Sequence, residues 1–270
     1  MIKRAFSLSH CQTCGFYYVD NPETDYALVY DRNYYQGRGA DQSIDYIYEF
    51  DHHQTTVRNY EWQGIVTIIS HFLKNLEGKN WLDYGCGTGG LLRYGEQNYD
   101  IKMYGFDQGW AVERAQAAGM RIVQEESLAS YRQCFDVITA IEVLEHCLDP
   151  ISELQRIRSL LKPGGLFFYT TGNSQPFEKN ILNWPYFAPE IHISLFQPRT
   201  MAYALKKCGF QVEDGYFLPG LEELIRYKVL KALSFKDMSL TEKWLPWAAL
   251  ARIVDKKYRI SEYPIARAER

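Results

Sequence analysis

A glycine-rich stretch, WLDYGCGTGGLL at residues 81–92, carries the clearest chemical signal in the chain. Its glycines fit the spacing G-x-G-x-x-G, which is typical of loops that hold a dinucleotide pyrophosphate at a helix N-terminus. Asp83, however, stands two residues before Gly85, where a carboxylate would repel a pyrophosphate. S-adenosylmethionine carries an ammonium and a sulfonium instead, and the same carboxylate would attract both. These residues therefore favour S-adenosylmethionine over a nicotinamide dinucleotide.

A second acidic residue, Asp107, ends the next predicted strand, KMYGFD at 102–107. Neighbouring ribose hydroxyls are hydrogen-bond donors, and one carboxylate can accept from both. S-adenosylmethionine and the dinucleotides all contain a ribose, so Asp107 is compatible with either kind of cofactor. The choice between them depends on Asp83.

The chain around these residues alternates between short apolar strands and amphipathic helices. Strands are predicted at 80–85, 102–107, 121–126, 135–141, 166–171 and 210–218, and helices at 65–76, 89–97, 110–119, 149–161 and 199–209. The helix at 149–161 begins with Asp149 as its predicted N-cap and Pro150 at the first helical position. This alternation predicts an α/β fold, a doubly wound, mostly parallel, Rossmann-like sheet with helices on both faces. Such sheets bind ligands beyond the carboxyl ends of their strands, where the glycine-rich stretch lies.

Changes in composition along the chain predict three regions. Residues 1–60 are rich in tyrosine and are interpreted as a cap or substrate segment, with a short helix near 42–60. Residues 61–220 form the predicted cofactor-binding domain, and residues 221–270 form a helical extension. The partly amphipathic helices of the extension predict packing on the sheet, although a dimer face or a membrane surface fits the same pattern. The oligomeric state stays open, with a homodimer as one alternative.

The bulk properties exclude several classes of protein. The 270 residues are 46% apolar, which is enough for a sizeable core. Their formal net charge is −3, so no overall positive charge favours nucleic acid as a partner. No long apolar run predicts a transmembrane segment, and the N-terminal MIKRAFSLSH lacks the apolar region of a signal peptide. Six scattered cysteines fit a reducing compartment, so we predict a cytoplasmic protein.

Several motifs resemble, in order and spacing, those of class I S-adenosylmethionine-dependent methyltransferases of types 11, 12 and 23. The resemblance covers roughly residues 64–215, and its segments are DYGCGTG (83–89), YGFDQGWAVERAQAAG (104–119), FDVITAIEVLEHCLDP (135–150), LKPGGLFFYTTGN (161–173) and HISLFQPRTMAYALKKCGF (192–210). The family's fold is the doubly wound sheet predicted above. The resemblance also implies S-adenosylmethionine as the cofactor and S-adenosylhomocysteine as its product.

The resemblance assigns cofactor contacts residue by residue. Asp83, Gly85, Cys86 and Gly87 would line the methionine part, and the backbone at Ala140 and Ile141 would face it. Asp107 would hold the ribose, and Gln108 would pack beside the adenine. Either Glu125 or Glu126 would take the adenine amino group, and Glu126 is carried forward as the candidate.

The acceptor side offers two histidines and two glutamates. An oxygen acceptor needs a base for its proton, and His192 and His146 are the candidates, although either ring can equally serve to orient a loop. Alternatively, Glu142, Glu145, His146 and His192 resemble the metal-binding constellation of ubiquinone-type O-methyltransferases, so that Mg²⁺, Mn²⁺ or Zn²⁺ would polarise the acceptor. A divalent metal stays open as a second cofactor.

Two other features have a structural alternative. Cys11 and Cys14 have the C-x₂-C spacing of half a zinc site, but a structural zinc needs four ligands and His10 alone does not complete the set. We therefore predict a vestigial knuckle or a plain turn. The aromatic stretch NWPYFAPEIH at 183–192, with Tyr34 and Tyr35, fits either a lid over the acceptor or ordinary loop packing.

The resemblance implies an enzyme that transfers a methyl group to a small-molecule or glycan-linked acceptor, at oxygen. One alternative is a metal-assisted O-methyltransferase on a quinone or phenol that uses the Glu/His constellation. Two alternatives come from other classes: a nicotinamide-dependent oxidoreductase, which Asp83 disfavours, and a catalytically silent S-adenosylmethionine-binding module.

Overall fold

A six-stranded sheet organises the chain in the computed structural model, which describes residues 5–39, 42, 44–213, 218–262 and 265–269. The strands are β1 (Leu8–His10), β2 (Tyr17–Val19), β3 (Lys79–Tyr84), β4 (Ile101–Phe106), β5 (Phe135–Ile141), β6 (Leu161–Thr170), β7 (Ser194–Leu195), β8 (Phe210–Glu213) and β9 (Ile265–Ala268). The main sheet has the order β4-β3-β5-β6-β9-β8, and a small antiparallel sheet has the order β1-β2-β7. The first four strands of the main sheet are parallel, as predicted, and β9 runs antiparallel to both of its neighbours.

Helices cover both faces of the main sheet, which confirms the predicted doubly wound α/β fold. They are α1 (Tyr26–Val29), α2 (Arg32–Tyr35), α3 (Tyr46–Asp51), α4 (Arg58–Leu73), α5 (Gly90–Asn98), α6 (Val112–Ala117), α7 (Glu125–Leu128), α8 (Pro150–Leu160), α9 (Pro198–Lys207), α10 (Leu221–Ala232) and α11 (Trp247–Tyr258). Apolar side chains of α8 and α9 are buried on one face, and those of α4, α5, α10 and α11 are buried on the other. None of the described helices has the length and apolar composition that a membrane span requires.

The helix α8 begins as its sequence predicts. Asp149 accepts hydrogen bonds from the backbone N–H groups of Ile151 (3.1 Å) and Ser152 (3.0 Å), and Pro150 occupies the first turn. This cap satisfies donors that the first helical turn leaves without intrahelical partners. It fixes the start of α8 at the carboxyl end of the sheet, directly after the segment that holds Glu142, Glu145 and His146.

Several predicted elements differ from the structure. The helix predicted at 65–76 runs from Arg58 to Leu73, because Lys74 adopts a positive φ of 63° and ends it before Leu76. The helix predicted near 42–60 is divided into α3 and the first turn of α4. The strand predicted at 121–126 is reduced to one bridge between Ile122 and Gly105, and Glu125 begins a helix instead.

At the far edge of the sheet, the strand predicted at 210–218 ends at Glu213, and residues 214–217 lie outside the described residues. The strand β9 was not predicted from the sequence; it inserts between β6 and β8 and joins residues 265–268 to the main sheet. The C-terminal residues are therefore part of the same sheet as the glycine-rich loop.

Candidate active site

A cavity of about 1420 Å³ opens at the carboxyl ends of β3, β4 and β5. It is lined by seven of the predicted cofactor residues, namely Asp83, Gly85, Cys86, Gly87, Asp107, Gln108 and Ile141. It continues past them into a second half whose walls come from the tyrosine-rich segment, from the aromatic stretch around Trp184 and from α10. We call this second half the acceptor chamber. The parallel strands end side by side here, which is why residues distant in sequence share one cavity.

The glycine-rich loop connects β3 to α5 and is tied to β4. The backbone N–H groups of Gly85 and Cys86 donate to the carbonyl of Phe106, at 2.7 and 3.0 Å. Gly85 has a φ of 85°, and a Cβ atom there would overlap a methyl group of Val143. Gly87 also has a positive φ, but a Cβ built there would meet nothing within 4 Å. The loop thus leaves open space above Gly87, where a ligand can approach the backbone closely.

Asp107 closes the loop from β4. Its two carboxylate oxygens accept hydrogen bonds from the backbone N–H groups of Gly87 (2.7 Å) and Gly109 (2.6 Å). Burial raises the pKa of Asp107, while these backbone hydrogen bonds act in the opposite direction. The carboxylate is therefore held rigidly at the cavity wall, in an orientation that suits two adjacent hydroxyl donors.

Asp83 is buried at the end of β3, with 5% of its surface exposed. The Thr139 hydroxyl donates to Asp83 Oδ1 at 2.7 Å and accepts from Trp81 Nε1 at 3.0 Å. Burial raises the pKa of Asp83 to about 7, against a usual value of 3.8, although the Thr139 hydrogen bond lowers it. A cationic ligand in the cavity would favour the ionised form of this carboxyl.

These observations fit S-adenosylmethionine. The glycine loop is open where the ligand must approach, and the two carboxyl groups on either side face the cavity. One of them suits an ammonium or a sulfonium, and the other suits a ribose.

The remaining predicted cofactor residues occupy different places. Gln108 lines the cavity, and its Nε2 donates to Glu125 Oε2 at 3.0 Å, so Glu125 is the acid connected to the cavity. Glu126, like Glu125, is exposed and does not line the cavity, because both residues begin α7 instead of ending a strand, and the choice between them stays a prediction. Ala140 is fully buried in the core, and the cavity wall is made by Ile141 and the following residues.

The tyrosine-rich segment lies directly over the cofactor side. Tyr34 and Tyr35 are buried against Ala111 and Ile191. A Cβ atom on Gly109 would overlap the Tyr35 hydroxyl, so the absence of a side chain at Gly109 permits this contact. Charge on Asp107 and burial both raise the pKa of Tyr35, burial being the larger cause, so the hydroxyl keeps its proton.

The two candidate histidines are adjacent, with ring centroids 5.0 Å apart, but they face differently. His146 lines the cavity, and its Nδ1 lies 2.9 Å from the Ile191 carbonyl and 2.8 Å from the Tyr30 hydroxyl. His192 does not line the cavity; its Nδ1 lies 2.6 Å from the Tyr186 carbonyl. Because a carbonyl only accepts, each Nδ1 carries hydrogen, and Nε2 is the basic nitrogen in the neutral ring. The geometry therefore favours His146 as the group that can reach an acceptor.

Glu142 and Glu145 share one tyrosine. The Tyr186 hydroxyl contacts Glu142 Oε2 and Glu145 Oε1, and it stacks its ring on His192. Lys228 Nζ lies 3.1 Å from Glu142 Oε1. Burial opposes ionisation of Glu142, but the charge of Lys228 and the hydrogen bonds that Glu142 accepts, from Tyr186 among others, together lower its pKa. Burial, followed by the charge of Glu142, raises the pKa of Glu145 to about 8. One carboxylate and one carboxylic acid can thus both be hydrogen-bonded to the single Tyr186 hydroxyl.

Three of the four predicted metal ligands come together. Glu145, His146 and His192 each place one ligand atom within 4.8 Å of the others, and they are the one such group of three found among the described residues. Oε2 of Glu145 is buried and has no hydrogen-bond partner among the residues that the structure describes. Glu142 is not part of the group. Cys11 and Cys14 form a turn between β1 and β2 as free thiols.

Sequence analysis missed several cavity residues. Trp184 and Tyr186 were recognised only as part of an aromatic stretch, and nothing marked Tyr186 as the contact of two carboxyl groups. Lys228 lay in a helix interpreted as packing. The position of Val143 against Gly85 was foreseeable only once β5 and the glycine loop were known to be adjacent.

Comparison with known proteins gives a consistent result. A family model described as a methyltransferase domain matches residues 52–214. Ubiquinone biosynthesis O-methyltransferases are similar over part of the chain. The one from Alkalilimnicola ehrlichii is 34% identical over 40% of this chain and 47% of its own length, and the one from Sodalis glossinidius is 38% identical over 37% and 44%. The matches to these two relatives thus span about half of the relatives' length.

Two solved structures share the fold. Phosphoethanolamine N-methyltransferase 2 from Haemonchus contortus superposes with a TM-score of 0.52 at 19% identity, over 92% of this chain and 60% of that one. A plantazolicin methyltransferase superposes with a TM-score of 0.53 at 13% identity, over 88% and 94%. At these identities the likeness is one of fold.

Proposed function

Because this chain belongs to the class I S-adenosylmethionine-dependent methyltransferase family, we propose that it transfers a methyl group from S-adenosylmethionine to an oxygen atom of a small-molecule acceptor. The observation that carries the proposal is the glycine-rich loop flanked by Asp83 and Asp107, all facing one cavity that continues into the acceptor chamber. When bound, the cofactor supplies an electrophilic methyl group.

This chain's residues supply binding, orientation and a base. Asp107 would accept from the ribose hydroxyls, Asp83 would offset the positive charge of the methionine part, and Gln108 would lie beside the adenine with Glu125 behind it. The backbone at Gly85, Cys86, Gly87 and Ile141 would border the methionine part. Alignment of donor and acceptor accounts for much of the rate in an in-line transfer.

His146 is the proposed base. It lines the cavity, and its Nδ1–H is directed at a backbone carbonyl, so that Nε2 is the basic nitrogen of the neutral ring and would take the proton of an acceptor hydroxyl. His192, the other candidate, is assigned an orienting role, because it stacks on Tyr186 and does not line the cavity.

The acceptor chamber supports a polar, ring-containing acceptor. Tyrosine rings from residues 26–46 and the side chains of Trp184 and Tyr186 form its walls, together with charged groups on α3, α4 and α10. Aromatic faces suit sugars and planar rings alike. We keep a glycan-linked acceptor and a phenol-type acceptor as the two candidates, the second because the curated relatives are named for ubiquinone biosynthesis.

The three regions predicted from composition are carried into the proposal. Residues 61–220 would supply the cofactor contacts, and residues 1–60 and 221–270 would share the chamber walls with His146, Trp184 and Tyr186. A cytoplasmic location and the oligomeric state stay predictions from the sequence.

A metal-assisted transfer is the second candidate function, and the convergence of Glu145, His146 and His192 favours it. One acid and two imidazoles are ligands that Mn²⁺ and Zn²⁺ accept. A metal held there would lower the pKa of a bound hydroxyl.

The test is a thermal shift of the purified protein with S-adenosylmethionine, S-adenosylhomocysteine, NAD and NADP in parallel. A ligand at 100 times its Kd adds about 2.7 kcal/mol, which corresponds to roughly 5–10 °C for a chain of this size. We expect a shift with the two methionine-derived ligands alone. A shift with NAD alone would overturn the proposal. Phenolic and sugar acceptors are then screened for S-adenosylhomocysteine release, with and without EDTA. A protein that binds the cofactor but releases no S-adenosylhomocysteine with any acceptor would support the catalytically silent module instead.

A further inference from the structure

A lysine from outside the matched family region reaches the acceptor chamber. Lys228 lies on α10, beyond residues 52–214, and its side chain lines the cavity beside Glu142. The ammonium pairs with Glu142 Oε1 at 3.1 Å, and 32% of the side-chain surface stays accessible. Of its three N–H donors, one is directed at Glu142, and no second hydrogen bond of this ammonium is found among the residues that the structure describes. Donors therefore remain for a group in the chamber.

Glu142, the ion-pair partner of Lys228, has an unusual backbone conformation. Glu142 has a φ of 54°, which few residues other than glycine adopt, directly after the last residue of β5. Its side chain is fixed on both oxygens, by Lys228 on one and by Tyr186 on the other. A strained residue that is held in this way at the carboxyl edge of the sheet is typical of functional sites.

This pairing removes Glu142 from the predicted metal constellation. The three-ligand group contains Glu145, His146 and His192, whereas Glu142 has a protein cation beside it. A divalent metal that used Glu142 as a ligand would have to displace Lys228. The cation paired with Glu142 is thus the side chain of Lys228.

We propose that Lys228 is the fixed cation of the transfer site, which orients Glu142 and stabilises the oxyanion that forms on the acceptor. This inference rests on the proposed function and adds a catalytic residue to it. The acceptor hydroxyl gives its proton to His146, and the resulting oxyanion is hydrogen-bonded by Lys228. The oxygen then bonds to the methyl carbon, while the electron pair of the breaking carbon–sulfur bond stays on sulfur. A preorganised donor aimed at developing charge is among the strongest catalytic devices available to a protein.

The first experiment needs no identified acceptor. Mn²⁺ is titrated calorimetrically into the protein loaded with S-adenosylhomocysteine, for the wild type and for the variants Lys228→Met, Lys228→Met/Glu142→Gln and Lys206→Met. Lys206 is an exposed lysine of α9 and serves as the matched control. We expect Lys228→Met to bind Mn²⁺ about 10-fold more tightly than the wild type, since it removes a cation beside a carboxylate. The double variant should lose that gain, and Lys206→Met should behave as the wild type.

Equal Mn²⁺ affinity in the wild type and in Lys228→Met would overturn the proposal, because the ion pair with Lys228 would then not be what keeps Mn²⁺ away from Glu142. The affinity for S-adenosylhomocysteine, measured in the same samples, separates this failure from a failure of the proposed function. If neither the wild type nor any variant binds S-adenosylhomocysteine, the proposed function is wrong. If the wild type and all variants bind S-adenosylhomocysteine equally, equal Mn²⁺ affinities count against the role of Lys228 alone.

The second experiment uses an acceptor from the screen. We expect Lys228→Met to lower kcat by about 100-fold with little change in KM, as for loss of one oxyanion donor. The pH profile of kcat should move to higher pH, because the acceptor loses the cation that favours its ionised form; Glu142, Glu145 and Glu61 are the acids that face Lys228. Lys228→Arg should restore part of kcat and of the profile. A merely structural lysine would change stability and leave the pH profile in place, and that result would overturn the assignment.

Discussion

Replacing Asp83 by asparagine should stabilise the cofactor-free protein, and the gain should depend on pH. The Asp83 carboxyl is buried at the end of β3, and burial raises its pKa from 3.8 to about 7. The native state therefore binds this proton more tightly than the unfolded chain does. Stability falls as pH rises between about 4 and 7, and the full cost is present above 7.

The size of the effect follows from the pKa. At 1.36 kcal/mol per pH unit, the difference between 3.8 and about 7 sets an upper limit of about 4 kcal/mol. We expect a gain of about 1–2 kcal/mol, because the asparagine amide brings buried N–H donors that cost free energy of their own. Asparagine keeps an oxygen that can accept from Thr139, so the 2.7 Å hydrogen bond need not be lost. For a chain of this size, the gain corresponds to about 2–8 °C in Tm.

The assay is urea unfolding of the wild type and Asp83→Asn, without cofactor, at pH 4.5 and pH 8. Asp136→Asn is the matched control, because the Asp136 pKa is lowered. Burial opposes this shift, but the hydrogen bonds from Lys162 (2.7 Å) and the Asn80 backbone, with the charges of Lys162 and Lys79, together outweigh it. Asp136 therefore contributes stability that is present above its unfolded pKa and is lost as pH falls. We expect the control to destabilise at pH 8, opposite in sign to Asp83→Asn. A gain from Asp83→Asn that is absent at pH 8, or equal at both pH values, would refute the argument from burial.

Other substitutions test the remaining parts of the site. Asp107→Ala should weaken S-adenosylhomocysteine binding by about 10-fold or more in calorimetry, through the loss of a charge-assisted hydrogen bond, while circular dichroism shows a folded protein; unchanged affinity would contradict the ribose assignment. Gly85→Ala should lower Tm and cofactor affinity together, because the new methyl group overlaps Val143 and the φ of 85° disfavours alanine; a variant with wild-type Tm would show that the loop is not constrained. Asp149→Ala should cost about 1 kcal/mol in urea unfolding by removing the α8 cap, whereas Asp149→Asn, which keeps a capping oxygen, should cost less; equal losses would mean that charge and not capping matters. His146→Gln should abolish turnover that His192→Gln only reduces, and the reverse order would assign the base to His192.

The central sheet was predictable from sequence because its signals are local. The strand β5 was located at its observed residues, and α8 was located by its cap, since both depend on neighbouring side chains. The cofactor side was predictable for the same reason: Asp83, the glycines and Asp107 lie within one βαβ unit.

Elements that depend on distant partners were not predictable in this way. The strand β9 consists of IARA, which has little strand character by itself and is stabilised by pairing with β6 and β8. Glu125 and Glu126 were interchangeable in the sequence, and only the turn into α7 directs one of them to Gln108. The ion pair of Lys228 joins residues 86 positions apart, and an amphipathic pattern does not tell which lysine of a helix faces a cavity.

The acceptor chamber has an evolutionary consequence. Tyr26, Tyr30 and Lys228 line its walls, and all three lie outside residues 52–214, while Asp83 and Asp107 lie inside them. The parts that hold the cofactor thus lie inside the matched stretch, whereas the acceptor chamber combines residues from inside it, such as His146 and Tyr186, with residues from the two flanking stretches. Mutation or replacement of the flanking stretches can alter what is methylated and leave the inherited cofactor site unchanged. Related proteins with this arrangement can change their acceptor through substitutions in either flanking stretch separately.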